Sequence, residues 1–155
     1  MKLVYPKEEV CITCRLCEIG CIVEHSKTKD ILKAFLSEYP RPVSRILVEE
    51  NGGLSFAQNC RHCEEPLCIE ACSNNALWKD EETGIVYLDE KRCMFCWMCI
   101  GVCPYGAVKQ RIDEKNKIRN AVKCDLCPER EIPACVEICP NSALFFENRG
   151  VKNWR

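Results

Sequence analysis

Nowhere in this sequence do about 18 apolar residues run together, so no segment reads as a membrane span. The amino-terminal stretch Met1–Val10, MKLVYPKEEV, lacks both an apolar export core and a twin arginine, and the expectation is a cytoplasmic protein. A Gly-rich dinucleotide fingerprint, a phosphate-binding loop and a Ser–His–acid constellation are all missing, which leaves nucleotide-dependent chemistry and acyl transfer without a site. Histidine is scarce, with only His25 and His62 in the chain.

Cysteine is abundant instead, with sixteen in 155 residues. Disulfides would need an oxidising compartment, which the missing export signal argues against. The cysteines form four groups with none left over: Cys11, Cys14, Cys17, Cys21; Cys60, Cys63, Cys68, Cys72; Cys93, Cys96, Cys99, Cys103; and Cys124, Cys127, Cys135, Cys139. Each group ends in a C-x3-C step, one helical turn, so its last two sulfurs can share a helix face. The first and third groups read C-x2-C-x2-C, a spacing that lets one tight loop wrap three irons of a cubane [4Fe–4S] cluster while a fourth thiolate arrives from afar. Zinc also takes four thiolates, but structural zinc sites divide them between two knuckles a dozen or more residues apart. Four [4Fe–4S] clusters are therefore expected, with a zinc-binding interaction scaffold as the competing reading.

Sixteen thiolates around four 2+ cores would take the formal charge from −1 to about −9. A field of that sign disfavours nucleic acid and anionic membrane and suits partners that present Lys and Arg. Every cysteine is committed to a cluster, so no thiol is spare for nucleophilic chemistry.

Between the groups the chain reads as short strands and turns. Arg45–Glu49 and Leu54–Ala57 form a hairpin through Asn51-Gly52-Gly53, and Ala76–Lys79 pairs with Ile85–Leu88. Further strands are expected at Ala107–Arg111, Ile118–Val122 and Ala143–Phe146. Lys29–Tyr39 carries Ile31, Leu32, Phe35, Leu36 and Tyr39 at helical spacing and is stopped by Pro40 and Pro42; its apolar stripe is expected to pack on the core. Trp78, Phe95, Trp97 and Tyr105 are likewise expected to pack inside, and His25 and His62 to hydrogen-bond near the ligands without joining them. The tail Asn148–Arg155, with Val151 and Trp154, is expected to order on a partner.

The second group, C-RHC-EEPLC-IEAC, together with KCDLC and PACVEICP, resembles the four-cluster ferredoxin-like iron–sulfur subunits of molybdenum or tungsten oxidoreductases, formate and hydrogen enzymes and CO dehydrogenases. The resemblance covers nearly the whole chain. It implies an α+β fold of two ferredoxin-like units with two clusters each, residues 1–59 plus 112–155 forming one and residues 60–111 the other. It also implies cross-pairing of cysteine groups. Cys11, Cys14 and Cys17 would share a cluster with Cys139, and Cys124, Cys127 and Cys135 one with Cys21. Cys60, Cys63 and Cys68 would join Cys103, and Cys93, Cys96 and Cys99 would join Cys72. The spacing alone leaves sequential pairing of groups open. Cys21 is followed by Ile22 and Cys72 by Ser73 where many relatives have proline, which puts local loop geometry in question. The implied function is non-catalytic electron transfer within a hetero-oligomer, between a catalytic oxidoreductase subunit and a second redox protein. CO-dehydrogenase or aldehyde-oxidoreductase systems match the compact layout best, and a free soluble polyferredoxin is the alternative.

Overall fold

The computed structural model describes residues 1–115 and 117–149, so Val151 and Trp154 of the expected partner-ordered tail lie outside the described residues. The described residues form a small α+β fold of eight short strands and five short α-helices. In chain order these are β1 (Lys2–Pro6), α1 (Leu16–Glu24), α2 (Ile31–Leu36), β2 (Leu47–Asn51), β3 (Leu54–Gln58), α3 (Leu67–Glu70) and β4 (Leu77–Lys79). Then come β5 (Val86–Leu88), α4 (Met98–Gly101), β6 (Val108–Asp113), β7 (Ile118–Lys123), α5 (Ala134–Glu137) and β8 (Leu144–Asn148). None of these helices is long and apolar enough to cross a membrane.

The strands pair in four separate antiparallel ladders: β1 with β8, β2 with β3, β4 with β5 and β6 with β7. Gly52 and Gly53 take φ of +58° and +88° between the closing pair Asn51 and Leu54, the two left-handed positions a tight two-residue hairpin requires. The β4–β5 connection is held by Asp80, whose carboxylate accepts from the Thr83 N–H at 2.6 Å. The β1–β8 ladder joins the two ends of the chain from Lys2 opposite Asn148 to Pro6 opposite Leu144, and Tyr5 stacks on its cross-strand partner Phe145 at 5.7 Å. No strand at residues 2–6 is expected from the sequence, which has no turn signal beside them.

Two-stranded ladders are marginal alone and must pack against something. Two apolar clusters meet that need, and cysteines are prominent in both. The first gathers Leu3, Val4, Ile46, Val48, Ala57, Leu126 and Leu144 around Cys17, Cys21 and Cys135, with Cys11, Cys124 and Cys139 against it. The second gathers Leu77, Val86, Val108 and Ala121 around Cys99, with Cys68, Cys72, Cys93 and Cys103 against it. Helix pairing follows the same division, α1 lying on α5 and α3 on α4. Gly20 makes the α1–α5 approach possible, since a Cβ there would stand 3.0 Å from Ile138 Cγ2 and 3.3 Å from the Ala134 carbonyl oxygen.

The expected helix over 29–39 is shorter, capped by the Asp30 carboxylate accepting from Lys33 N–H at 2.8 Å. Its stripe does not pack inward. Only Ala34 is buried, while Leu32 and Leu36 are 67% and 74% exposed and Ile31, Phe35 and Tyr39 are also exposed. The four large apolar residues of α2 share a face, but the helix sits at the surface with only Ala34 turned inward. The aromatic expectation also needs correction: Trp97 packs against the second core, but Trp78, Phe95 and Tyr105 are exposed, Trp78 stacking on Tyr87.

Candidate metal centres

The four cysteine loops share a backbone device. The residue before the second cysteine of each group is left-handed, with φ of 57° at Thr13, 43° at His62, 47° at Phe95 and 64° at Leu126. In the two C-x2-C-x2-C runs the residue after that cysteine is left-handed too, Arg15 at 57° and Trp97 at 64°. Non-glycine residues enter this region at a cost and persist where a site requires it. The repetition at equivalent places in all four cysteine groups fits loops built around a common kind of object.

The last cysteine of a group carries a second device. Asn75, Gly106 and Ser142, each three residues beyond it, have positive φ. The following alanine N–H then donates to sulfur: Ala76 to Cys72 Sγ at 3.3 Å, Ala107 to Cys103 Sγ at 3.4 Å and Ala143 to Cys139 Sγ at 3.2 Å. Ser73 in place of proline leaves this turn intact, because Asn75 enters the left-handed region readily. Ile22 does not. With no proline after Cys21, α1 runs on to Glu24, and the N–H reaching Cys21 Sγ comes from Arg45 at 3.2 Å, across the fold. Further donors to sulfur are His62 N–H to Cys60 at 3.4 Å and Ala121 N–H to Cys93 at 3.4 Å.

Three cavities are each framed by four cysteines drawn from two groups. Cys11, Cys14, Cys17 and Cys139 line one, Cys60, Cys63, Cys68 and Cys103 the next, and Cys72, Cys93, Cys96 and Cys99 the third. In the first core, Cys135 has Cys21, Cys127 and Cys17 as its electrostatic neighbours, and Cys124 has Cys135, Cys60 and Cys21. Burial pushes the thiol of Cys17 up to about 12, with the Glu18 N–H pulling the other way. Burial likewise lifts Cys68, Cys99 and Cys127 to about 11, and moves Cys124 and Cys135 well above the ordinary thiol range. Left to themselves these sulfurs would be neutral thiols at pH 7. A cationic core is the group that draws thiolates from such surroundings, and pure sulfur donors with inward N–H groups fit an iron–sulfur cluster.

Neither histidine completes a cysteine quartet. His62 is fully buried, and its Nδ1 accepts from Val86 N–H at 3.0 Å. Burial first, then the neighbouring Lys123 charge, lowers it to about 3, so the ring is neutral and Nε2 carries the proton. That buried Nε2 finds no hydrogen-bond partner among the described residues, and the ring stands in the wall of the cavity framed by Cys60, Cys63, Cys68 and Cys103. His25 sits one turn after Cys21, its Nδ1 donating to the Cys21 carbonyl at 2.7 Å and lying 3.6 Å from the sulfur. Burial opposes its charge, but the bond to Asp125 at 3.1 Å and the Cys21 sulfur outweigh it and raise the ring to about 9. The ligand atoms of His25, Asp125 and Cys127 lie within 4.8 Å of one another. The carboxylate is already engaged by His25, the Arg45 guanidinium and the Cys127 N–H, so this trio is an ion-pair network beside the sulfurs. The places of Arg45 and Asp125 beside the sulfurs are not legible in the cysteine spacing; Asp125 inside KCDLC is the nearest signal.

Residues 53–149 match the 4Fe-4S dicluster domain. The chain belongs to this family. Iron–sulfur clusters, not zinc, are thus the cofactor class of this dicluster protein. Similar curated proteins include the electron transport protein HydN of Escherichia coli, 35% identical over 153 residues, spanning 90% of this chain and 83% of that one. The putative electron transport protein YsaA of the same organism is 38% identical over 135 residues, covering 86% and 82%. An iron-sulfur protein of Rhodospirillum rubrum is 32% identical over 154 residues, covering 92% and 80%. Among solved structures, the active site complex BamBC of benzoyl coenzyme A reductase superposes on 98% of this chain and 81% of its own, with TM-score 0.51 and 20% identity. That likeness concerns the fold alone.

Proposed function

We propose that this dicluster-family chain is a non-catalytic electron-relay subunit holding four [4Fe–4S] clusters. One ferredoxin-like unit would comprise residues 1–59 plus 112–155 and the other residues 60–111. Cys11, Cys14, Cys17 and Cys139 would hold the first cluster and Cys21, Cys124, Cys127 and Cys135 the second. Cys60, Cys63, Cys68 and Cys103 would hold the third, and Cys72, Cys93, Cys96 and Cys99 the fourth. A bound core supplies a one-electron couple, somewhere in the range of roughly −700 to +450 mV open to such clusters. The protein's part is to space and tune these couples through thiolates, N–H donors and local charge.

The observation that supports this reading is the framing of three cavities by four cysteines each, with every quartet drawn from two groups. Cys17 and Cys135, Cys124 and Cys60, and Cys68 and Cys99 also stand close enough to feel each other's charge, as a relay between the proposed quartets would need. The outer quartets approach solvent. Cys14 and Cys96 are exposed, amid exposed Ile12 and Leu16 at one end and Met94, Phe95 and Met98 at the other. Exposed apolar collars of this kind suit docking faces for electron entry and exit. The uncovered apolar residues of α2 supply a further surface to bury in a hetero-oligomer. Partners of this kind would be a catalytic oxidoreductase subunit, such as a CO dehydrogenase or a tungsten or molybdenum aldehyde oxidoreductase, and a second redox protein. The names of HydN and YsaA support the electron-transfer class.

Anaerobic affinity purification from the native host, with co-purifying proteins quantified by mass spectrometry at low and high salt, tests the assignment. A near-equimolar oxidoreductase that survives high salt is expected. Recovery of the loaded chain alone would contradict the subunit reading and make it a free carrier.

A further inference from the structure

Lys123 ends β7 with 3% of its surface exposed. Its ammonium donates to the Val86 carbonyl and, at 2.8 Å, to the Cys124 carbonyl, and it pairs with no carboxylate among the described residues. The nearby Asp125 carboxylate is engaged elsewhere, by Arg45 and His25. An ammonium taken out of water and bonded only to carbonyls is costly unless a negative charge stands close by.

This lysine stands among cysteines of two groups. Lys123 lines the cavity framed by Cys60, Cys63, Cys68 and Cys103. It also immediately precedes Cys124 of the adjoining quartet and lines the recess it shares with Cys124 and Asp125. Its field favours the Cys68 thiolate and opposes a proton on His62. No sulfur of the two outer cavities shares a wall with it.

We propose that Lys123 is the electrostatic bridge between the two inner clusters, a fixed buried cation whose counter-charge is the thiolate-bound cores on either side. The inference rests on the four-cluster reading. Four thiolates and a 2+ core carry a net −2, and one added electron from an external donor makes this −3. A cation held in the same low-dielectric interior stabilises the more negative state more, so Lys123 raises the potential of its neighbours. The middle of the relay then accepts electrons instead of blocking them.

The test is an anaerobic dithionite titration of the loaded protein followed by electron paramagnetic resonance, with iron and sulfide counted in each preparation. Wild type, Lys123→Met and Lys123→Arg are compared. Fewer than about sixteen iron and sixteen sulfide per wild-type chain overturns the cluster reading itself. With a full complement, Lys123→Met is expected to make reduction of one or both inner clusters at least about tenfold less favourable, about 59 mV for a one-electron couple. The outer two should hold their potentials, the shift should persist at high salt because the charge is buried, and Lys123→Arg should stay near wild type. Unchanged potentials in loaded Lys123→Met overturn the proposal, as does an equal shift in all four clusters. Should Lys123→Met fail to load, Lys123→Gln keeps a donor for the Val86 carbonyl without the charge, and unchanged potentials in that variant overturn the proposal equally.

Discussion

Glu38 shows how single residues fix segments that carry no cluster ligand. Its carboxylate accepts from Lys27 N–H at 2.9 Å, Thr28 N–H at 2.8 Å and the Thr28 hydroxyl, tying the loop before α2 to the turn after it. The Thr28 hydroxyl bond, followed by the two backbone donors, holds the carboxyl below its ordinary range, against the effect of burial. A depressed carboxylate contributes stability above its unfolded pKa and loses it as pH falls through the folded one. Glu38→Gln should therefore speed amide exchange at Lys27 and Thr28 by the same factor at any pH from about 6 to 9. A difference that grew or vanished across that window would contradict the assignment. His62 makes a second residue-scale case. Replacing it by Leu removes the acceptor for the buried Val86 N–H, and a loss of about 1–3 kcal/mol in the unfolding free energy of the loaded protein is expected from denaturant titration.

At the scale of elements, α1 and α5 meet only because position 20 lacks a side chain. Gly20→Val should force Ile138 and the Ala134 carbonyl away and cost about 1–3 kcal/mol, read as a lower midpoint of thermal unfolding, while Gly101→Ala, facing open space, should cost little. On α2, Leu32→Glu with Leu36→Glu should leave stability within about 0.5 kcal/mol yet weaken co-purification with an oxidoreductase partner. What the sequence made legible divides along the same lines. The β2–β3 hairpin could be read because Gly52-Gly53 is a local turn signal, and the C-x3-C steps because one helical turn is local. The β1–β8 ladder could not, since Lys2–Pro6 finds its partner at Leu144–Asn148 with no turn between them to announce it. Helical spacing on α2 was visible, but whether anything covers an apolar stripe is a tertiary fact. The same limit hid Lys123, whose lack of a paired carboxylate depends on Asp125 turning to Arg45 and His25.

For the whole molecule, the two apolar clusters are small and built partly of cysteine, so folding and cofactor loading are expected to be coupled. Cross-pairing of the first cysteine group with the fourth and of the second with the third also crosses long stretches of chain, so that each bound core would staple distant segments. The central claim is that all sixteen cysteines serve four clusters. Iron and acid-labile sulfide, counted together on anaerobically purified, fully reconstituted protein, test it most directly. About sixteen of each per chain are expected; about eight of each, or zinc without sulfide, would overturn the four-cluster assignment.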